Sequence, residues 1–415
     1  MKKALLSILA FILFAQVLDA QTVVSKNYEF SNGQWYNGKN FTPATWYVSK
    51  GVFTKKAPSK IDSVVDLQNR WVVPPMGDAY CMSVADNSMS ANQLKMYMSE
   101  GIFYLQILGN TKEGRAALQN SLNIPTGADA VFANGALTGT FGYPFLQYEG
   151  PANGIRNPQK MTERYEYLKE QHKMLGDGYW FLDSKDAVDR NWAGIKAQNP
   201  GVIFIVLHDA EKAGGKESKG LTVDVAKAVI KKAHKSNLRV FAHVENADDV
   251  RLALKIGADG LANLPGAEWD GTGDTKMFEL SDEDLKKLAK KKTVVIPLYG
   301  HAQALGPRKA VQEYHAKTFK RLIDAGVLVA IGSDDPMRTT RAELSYLFNL
   351  PDADYATLLK VLCENTPRAI FPNRKIGKIE DGFEASFLVL ADNPTNNLLK
   401  IRAISFKVKN GVILK

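Results

Sequence analysis

Trp71-Val72-Val73-Pro74-Pro75-Met76-Gly77-Asp78-Ala79-Tyr80-Cys81-Met82 divides this chain into two patterns. Its apolar run stops at paired prolines, which lack an N–H and disfavour helix in the residue before them, so the segment reads as extended. Upstream of it the signals are those of strands and turns. Residues 46–53 read as strand, turn, strand, residues 63–67 as a further short strand, and Asn69-Arg70 turns the chain into the proline stretch.

Downstream the pattern alternates. Residues 102–107 and 202–207 are almost continuously apolar, the mark of strands buried on both faces. Residues 134–157, rich in glycine and aromatics, read as a long loop of the kind that carries function, and residues 162–175 as a helix. Thr222 caps a helix over 222–234, with Val223, Ala226, Ile230 and Ala233 on one face. Strand 239–243, helix 247–256 stopped at Gly257, and strand 260–263 follow. A helix opened by Ser281, with Asp284 three residues on, leads to strand 293–296. Helix 316–325, strand 327–331 and helices 341–348 and 355–364 complete the series.

Strands alternating with helices at this spacing build a parallel sheet. The run from 76 to 370 suits a closed (β/α)8, TIM-like barrel. An open doubly wound sheet would call for a glycine-rich phosphate loop after the first strand, and none is written there. From 371 to 415 the chain returns to β, and Asn410-Gly411 between apolar runs is a hairpin signal. A β segment at each end, 21–75 and 371–415, predicts a small composite β-sandwich made by both.

The bulk properties narrow the function classes. The chain of 415 residues is 45% apolar and 23% charged, within the ordinary range for a globular protein. Its net charge of +9 is scattered; Lys231-Lys232 and Lys290-Lys291-Lys292 read as solvated helix ends, and no basic motif interleaved with aromatics argues for nucleic acid. Lys2-Lys3, the apolar run 4–15 and small Ala20 read as a cleavable export signal, with a mature chain starting at Gln21 in the periplasm or outside the cell. The apolar run is too short to span a bilayer, so no stable membrane anchor is expected. Whether Cys81 and Cys363 pair, and whether the chain forms a homo-oligomer, is left open by the sequence.

Five stretches, in order, resemble the amidohydrolase superfamily, and their spacing is similar to its imidazolonepropionase and prolidase-like branch. Residues 72–82 resemble that family's first barrel strand, written PG-hydrophobic-hydrophobic-D-x-H-x-H. Phe241-Ala242-His243 resembles the strand with the third histidine, and Gly257-Ala258-Asp259-Gly260-Leu261-Ala262-Asn263 the stretch with the fourth. Gly332-Ser333-Asp334 is similar to the GTD that carries the last carboxylate. Asn365-Thr366-Pro367-Arg368-Ala369, Gly377-Lys378-Ile379, Gly382 and residues 385–390 resemble the closing segment. The resemblance implies a distorted (β/α)8 barrel, a composite β-sandwich, and one or two divalent metals that activate a water against an amide, imine or ester carbon.

Several of the implied ligand positions hold other residues. Tyr80 and Met82 stand where the first two histidines belong, Val206 where many members carry a carboxylated lysine, and Asn263 where the fourth histidine belongs. His243 and Asp334 are kept. Each also has a plain reading, as a hydrogen-bonded strand-end histidine and as a turn-capping aspartate. His208, two residues beyond Val206, faces the same way in a regular strand and is a third candidate catalytic group. Tyr80, Asn263, Tyr299 and His301 are candidate substrate-binding residues at the mouth. The expectation is a protein with no bound metal or other cofactor, holding a small-molecule ligand in the old active-site mouth. The alternative is a C–N hydrolase with one zinc held by His208, His243 and Asp334. A purely structural subunit is the third reading.

Overall fold

The computed structural model describes residues 26–82, 90–207, 220–306 and 308–414. The export signal and His208 lie outside them.

Pairing separates the two halves of the proline stretch. Trp71–Val73 joins an eight-stranded sheet whose order also includes Tyr28–Tyr36, Phe41–Ser49, Val52–Thr54 and the C-terminal strands Phe387–Leu390, Ile404–Lys409 and Val412–Leu414. Its antiparallel partner comes from the far end of the chain, with Val73 opposite Leu388 and Trp71 opposite Leu390. The expected composite of both chain ends is therefore present, as one continuous sheet curled over its own core. Phe53 and Phe387 lie four strands apart in the order, yet their rings are 5.6 Å apart between centroids. Hydrogen bonds from Phe53 N–H to Phe383 O and from Gly382 N–H to Phe53 O close the curl.

After the prolines, Met76–Asp78 opens the barrel and pairs in parallel with Ile102–Ile107, which pairs with Asp129–Phe132. A second parallel sheet contains Tyr179–Phe181, Ala136–Thr138, Val202–Val206, Arg239–His243, Gly260–Ala262, Val294–Ile296 and Leu328–Val329 in spatial order. Two seams join the sheets into a ring. Gly201 N–H donates to Phe132 O on one side, and Ala79 N–H to Ile331 O on the other. Strands enclosed by helices outside and side chains inside bury both faces, which is why Ile102–Ile107 and Val202–Val206 are buried throughout.

Local signals set the helix ends. Asn246 and Asp249 form a capping box at the start of Ala247–Ile256, and Gly257, at φ +89°, ends that helix in the left-handed region. Ser281 and Asp284 form the second capping box, opening Asp282–Lys291. Gly77 meets a different demand: a Cβ there would come within 3.0 Å of Thr366 and Ile370 side chains, so the first strand packs directly against Thr366–Ile370.

The middle of the chain departs from expectation. Residues 134–157 contain the strand Ala136–Thr138 and the helix Phe145–Ala152. The helix was hidden because Gly150 and Pro151 sit in it and its N-cap, Pro144, has no side-chain acceptor for the first N–H groups. In place of one helix over 162–175 there are two short ones, Pro158–Glu163 and Tyr165–Lys169. They pack through Met161, Tyr165 and Leu168 onto Phe145, Leu146 and Tyr179, a satellite core. The strands Asp129–Phe132 and Tyr179–Phe181 and the helices Ser90–Ser99, Lys112–Leu118 and Lys185–Ala197 were not anticipated, although Ser184 caps the last of these and its buried Val188, Trp192 and Ile195 fall at helical spacing.

Candidate ligand site at the barrel mouth

The site begins at the seam between the first and last barrel strands. Asp78 is fully buried and accepts four hydrogen bonds: from Tyr80 N–H (3.1 Å) and Ser333 N–H (3.1 Å), and from the hydroxyls of Ser333 (2.6 Å) and Tyr97 (2.8 Å). The Tyr80 carbonyl accepts from Ser333 N–H at 3.1 Å and Asp334 N–H at 2.7 Å. At Gly332 a Cβ would meet Tyr80 N at 3.0 Å, so the last strand can approach the first this closely only without a side chain. The seam fixes Tyr80 and Asp334 side by side. Cys81 and Cys363 are both buried and no disulfide joins them; the Cys81 thiol lies 3.4 Å from the Tyr97 hydroxyl.

Asp334 is held in the left-handed region at φ +39°. His301 Nε2 lies 3.2 Å from its carbonyl oxygen, a second constraint on its backbone. No hydrogen bond or ion pair among the described residues reaches its carboxylate. Burial pushes that carboxyl up to about 7, against the opposing charge of His301. Burial works to lower the His301 imidazole, but the Glu268 hydrogen bond and the charges of Asp334 and Glu343 prevail and raise it to about 9. Glu343, itself pushed up to about 7 by burial, accepts from Tyr299 N–H at 3.0 Å and from Gly300 N–H, and so holds the turn that presents His301.

Tyr80 and Asp334 open into a cavity of about 650 Å3 that Met82, Tyr143, Tyr148 and Phe204 also line. The Tyr80 ring meets Phe204 edge-on at 5.7 Å. Burial first, then the Asp334 charge, hold the Tyr80 phenol far above its ordinary range, and it is hydrogen-bonded to Tyr143. His243, almost fully buried, does not line this cavity. It stacks on Tyr143, with centroids 4.7 Å apart, and its Nε2 lies 3.0 Å from Glu245.

The other candidates are dispersed. Asn263, at φ +68°, lines a neighbouring cavity of about 540 Å3 with Glu245, Glu268 and Trp269, and its buried Oδ1 has no partner among the described residues. Tyr299 does not reach the mouth. It is fully buried, its ring stacked on His315 at 4.0 Å, because the strand ends at Ile296 and the 3-10 turn over Tyr299–Leu305 directs it into the core. Tyr143, Tyr148 and the exposed Arg156 and Glu113 were not singled out from sequence; the signal available was the aromatic content of residues 134–157.

The residues present do not fit a binuclear divalent centre. At the positions where the resemblance implies ligands, Tyr80 offers a protonated phenol, Met82 a thioether and Asn263 a neutral amide, and Val206 offers no donor. Among the described residues, no group of three or more His, Cys, Asp or Glu side chains is placed to hold a metal ion.

Residues 183–415 match the sequence model of the amidohydrolase family. Ochratoxinase from Aspergillus niger is 24% identical over 200 residues, a match that covers 46% of this chain and 40% of that enzyme's length. The fold is close to that of an Xaa-Pro dipeptidase with bound methionine (TM-score 0.71, 14% identity, 94% of this chain and 100% of that one). It is similarly close to A. niger ochratoxinase (TM-score 0.70, 16% identity, 94% and 96%). Phenylurea hydrolase B shares it too (TM-score 0.66, 16% identity, 94% and 97%). At these identities the structural likenesses speak for the fold alone. The sequence match spans more than half of the 415 residues and takes in His243, Asn263 and Asp334, and on that ground the chain belongs to the amidohydrolase family.

Proposed function

We propose that this chain is an exported, non-catalytic member of its family that binds a small molecule in the barrel mouth. The observation that carries the reading is the wall of the 650 Å3 cavity: where the family resemblance implies imidazoles, Tyr80 and Met82 present a protonated phenol and a thioether. Such a wall suits an organic ligand better than a hard divalent ion. Export rests on Lys2-Lys3, the apolar run 4–15 and the small residue Ala20. No helix among the described residues is long and apolar enough to cross a membrane.

The second reading is a hydrolase of C–N bonds with at most one metal. Its support is the match to the amidohydrolase family model and the likeness in sequence to an ochratoxinase. His243 and Asp334 would need a third ligand, and His208 is the candidate. Metal analysis separates the readings. The mature chain, purified and dialysed without chelator, is expected to carry no stoichiometric zinc, manganese or iron. One tightly bound zinc per chain, lost on His208→Ala, would replace the binding reading with the hydrolase.

A further inference from the structure

Asp334 is the one inner charge among the described residues that line the mouth. The other two charged groups there, Glu113 and Arg156, are exposed at the rim and opposite in sign. No described side chain donates to the Asp334 carboxylate, and the nearby His301 contacts its backbone carbonyl. The protonated His301 offsets part of its charge yet touches Asp334 only at that carbonyl, which leaves the half-buried carboxylate facing the cavity open to a further positive partner. What faces it is aromatic. The Tyr80 and Tyr148 hydroxyls both feel its charge, the buried Tyr148 hydroxyl has no hydrogen-bond partner among the described residues, and the Tyr143 and Phe204 rings complete the wall.

Aromatic faces attract a cation through the ring quadrupole, without the directed lone pairs that a zinc or manganese ion requires. The attraction suits a diffuse, weakly hydrated ion. We infer that the mouth is a receptor for an organic cation, an alkylammonium group on an apolar body, with Asp334 as its counter-charge and Tyr80, Tyr143, Tyr148 and Phe204 as its walls. The inference rests on the ligand-binding reading above and names the class of ligand. A volume of about 650 Å3 admits a drug-sized molecule, with Met82 and Met174 supplying adaptable apolar surface for the body.

The test is equilibrium dialysis of the full mature chain with benzyltrimethylammonium and with neopentylbenzene, its uncharged isostere. The cation is expected to bind at least tenfold tighter than the isostere. Asp334→Asn is expected to weaken the cation at least tenfold and leave the isostere unchanged. Tyr143→Leu is expected to weaken the cation more than the isostere. Equal binding of both probes would overturn the cation inference and leave an apolar ligand site standing. Binding of neither would overturn both readings. Should Asp334→Asn fail to fold, the comparison of the two probes on the wild-type chain still decides.

Discussion

At the scale of single residues, two buried polar groups carry obligations that can be measured. Asp78 ties the first barrel strand to the last through its four accepted hydrogen bonds. Asp78→Ala leaves buried donors unsatisfied and is expected to cost about 3 kcal/mol in urea unfolding, with Asp78→Asn costing less because one acceptor oxygen survives. His315 lies between Gly266 O at 2.9 Å and the Tyr346 hydroxyl at 2.7 Å, stacked under Tyr299. Burial lowers it from 6.5 to about 4, against the raising effect of the Gly266 hydrogen bond. Between those values the unfolded chain takes up a proton that the folded chain refuses. Its contribution to stability is therefore full above pH 6.5, falls as the pH drops, and is gone by about 4, a span of about 3 kcal/mol at most. Glu343 is raised to about 7 and works in the opposite sense. Asp78, raised to about 6, and Asp334, raised to about 7, do the same, so the His315 effect is read as a difference: between pH 6.5 and 4 the wild type is expected to lose up to about 3 kcal/mol relative to His315→Gln in thermal unfolding, and a constant difference would refute the assignment.

At the scale of elements, the composite sheet is fastened to the barrel by a buried ion cluster. Lys409, fully buried in the strand Ile404–Lys409, donates to Asp129 at 2.7 Å and to the carbonyls of Ile124 and Gly127. Arg374 reaches the other Asp129 oxygen at 2.8 Å and Glu384 at 2.7 Å. Breaking a buried pair from one side costs about 3–5 kcal/mol, and Arg374 still neutralises Asp129 if Lys409 is lost. Lys409→Met is therefore expected to fall at the lower end of that range in denaturant titration, and a loss under about 1 kcal/mol would show that the cluster adds little. Deleting residues from 375 onward removes the antiparallel partner of Trp71–Val73 and bares its edge. The truncated chain is expected to be insoluble; a soluble, cooperatively unfolding product would show that the N-terminal strands stand alone.

At the scale of the whole molecule, the barrel brings together side chains that lie far apart in sequence. If Tyr80, Met82 and Asn263 occupy the family's ligand positions, the triple change Tyr80→His, Met82→His and Asn263→His creates measurable zinc affinity beside His243 and Asp334, read by dye competition. No gain would mean that these positions do not converge. Asn263 opens onto the neighbouring cavity and Tyr80 onto the mouth, so each single change is expected to add less zinc affinity than the triple change.

The barrel and the two-ended sheet domain were legible in the sequence because their signals are local. Apolar runs such as Val202–Val206 announce strands, Thr222 and Ser281 announce helix starts, and the order of stretches from Asp78 to Asp334 announces the family. The placement of His243 and Asp334 at or just beyond the ends of their strands was legible for the same reason. Only the tertiary structure decided what surrounds them. Tyr148 reaches the mouth on a helix that glycine and proline disguise, with Tyr143 just before its start, and Tyr299 leaves it through a turn whose direction depends on Glu343, more than forty residues away. A side chain's neighbours follow from strand register and from contacts distant in sequence, and neither is encoded in the residue's own stretch of chain.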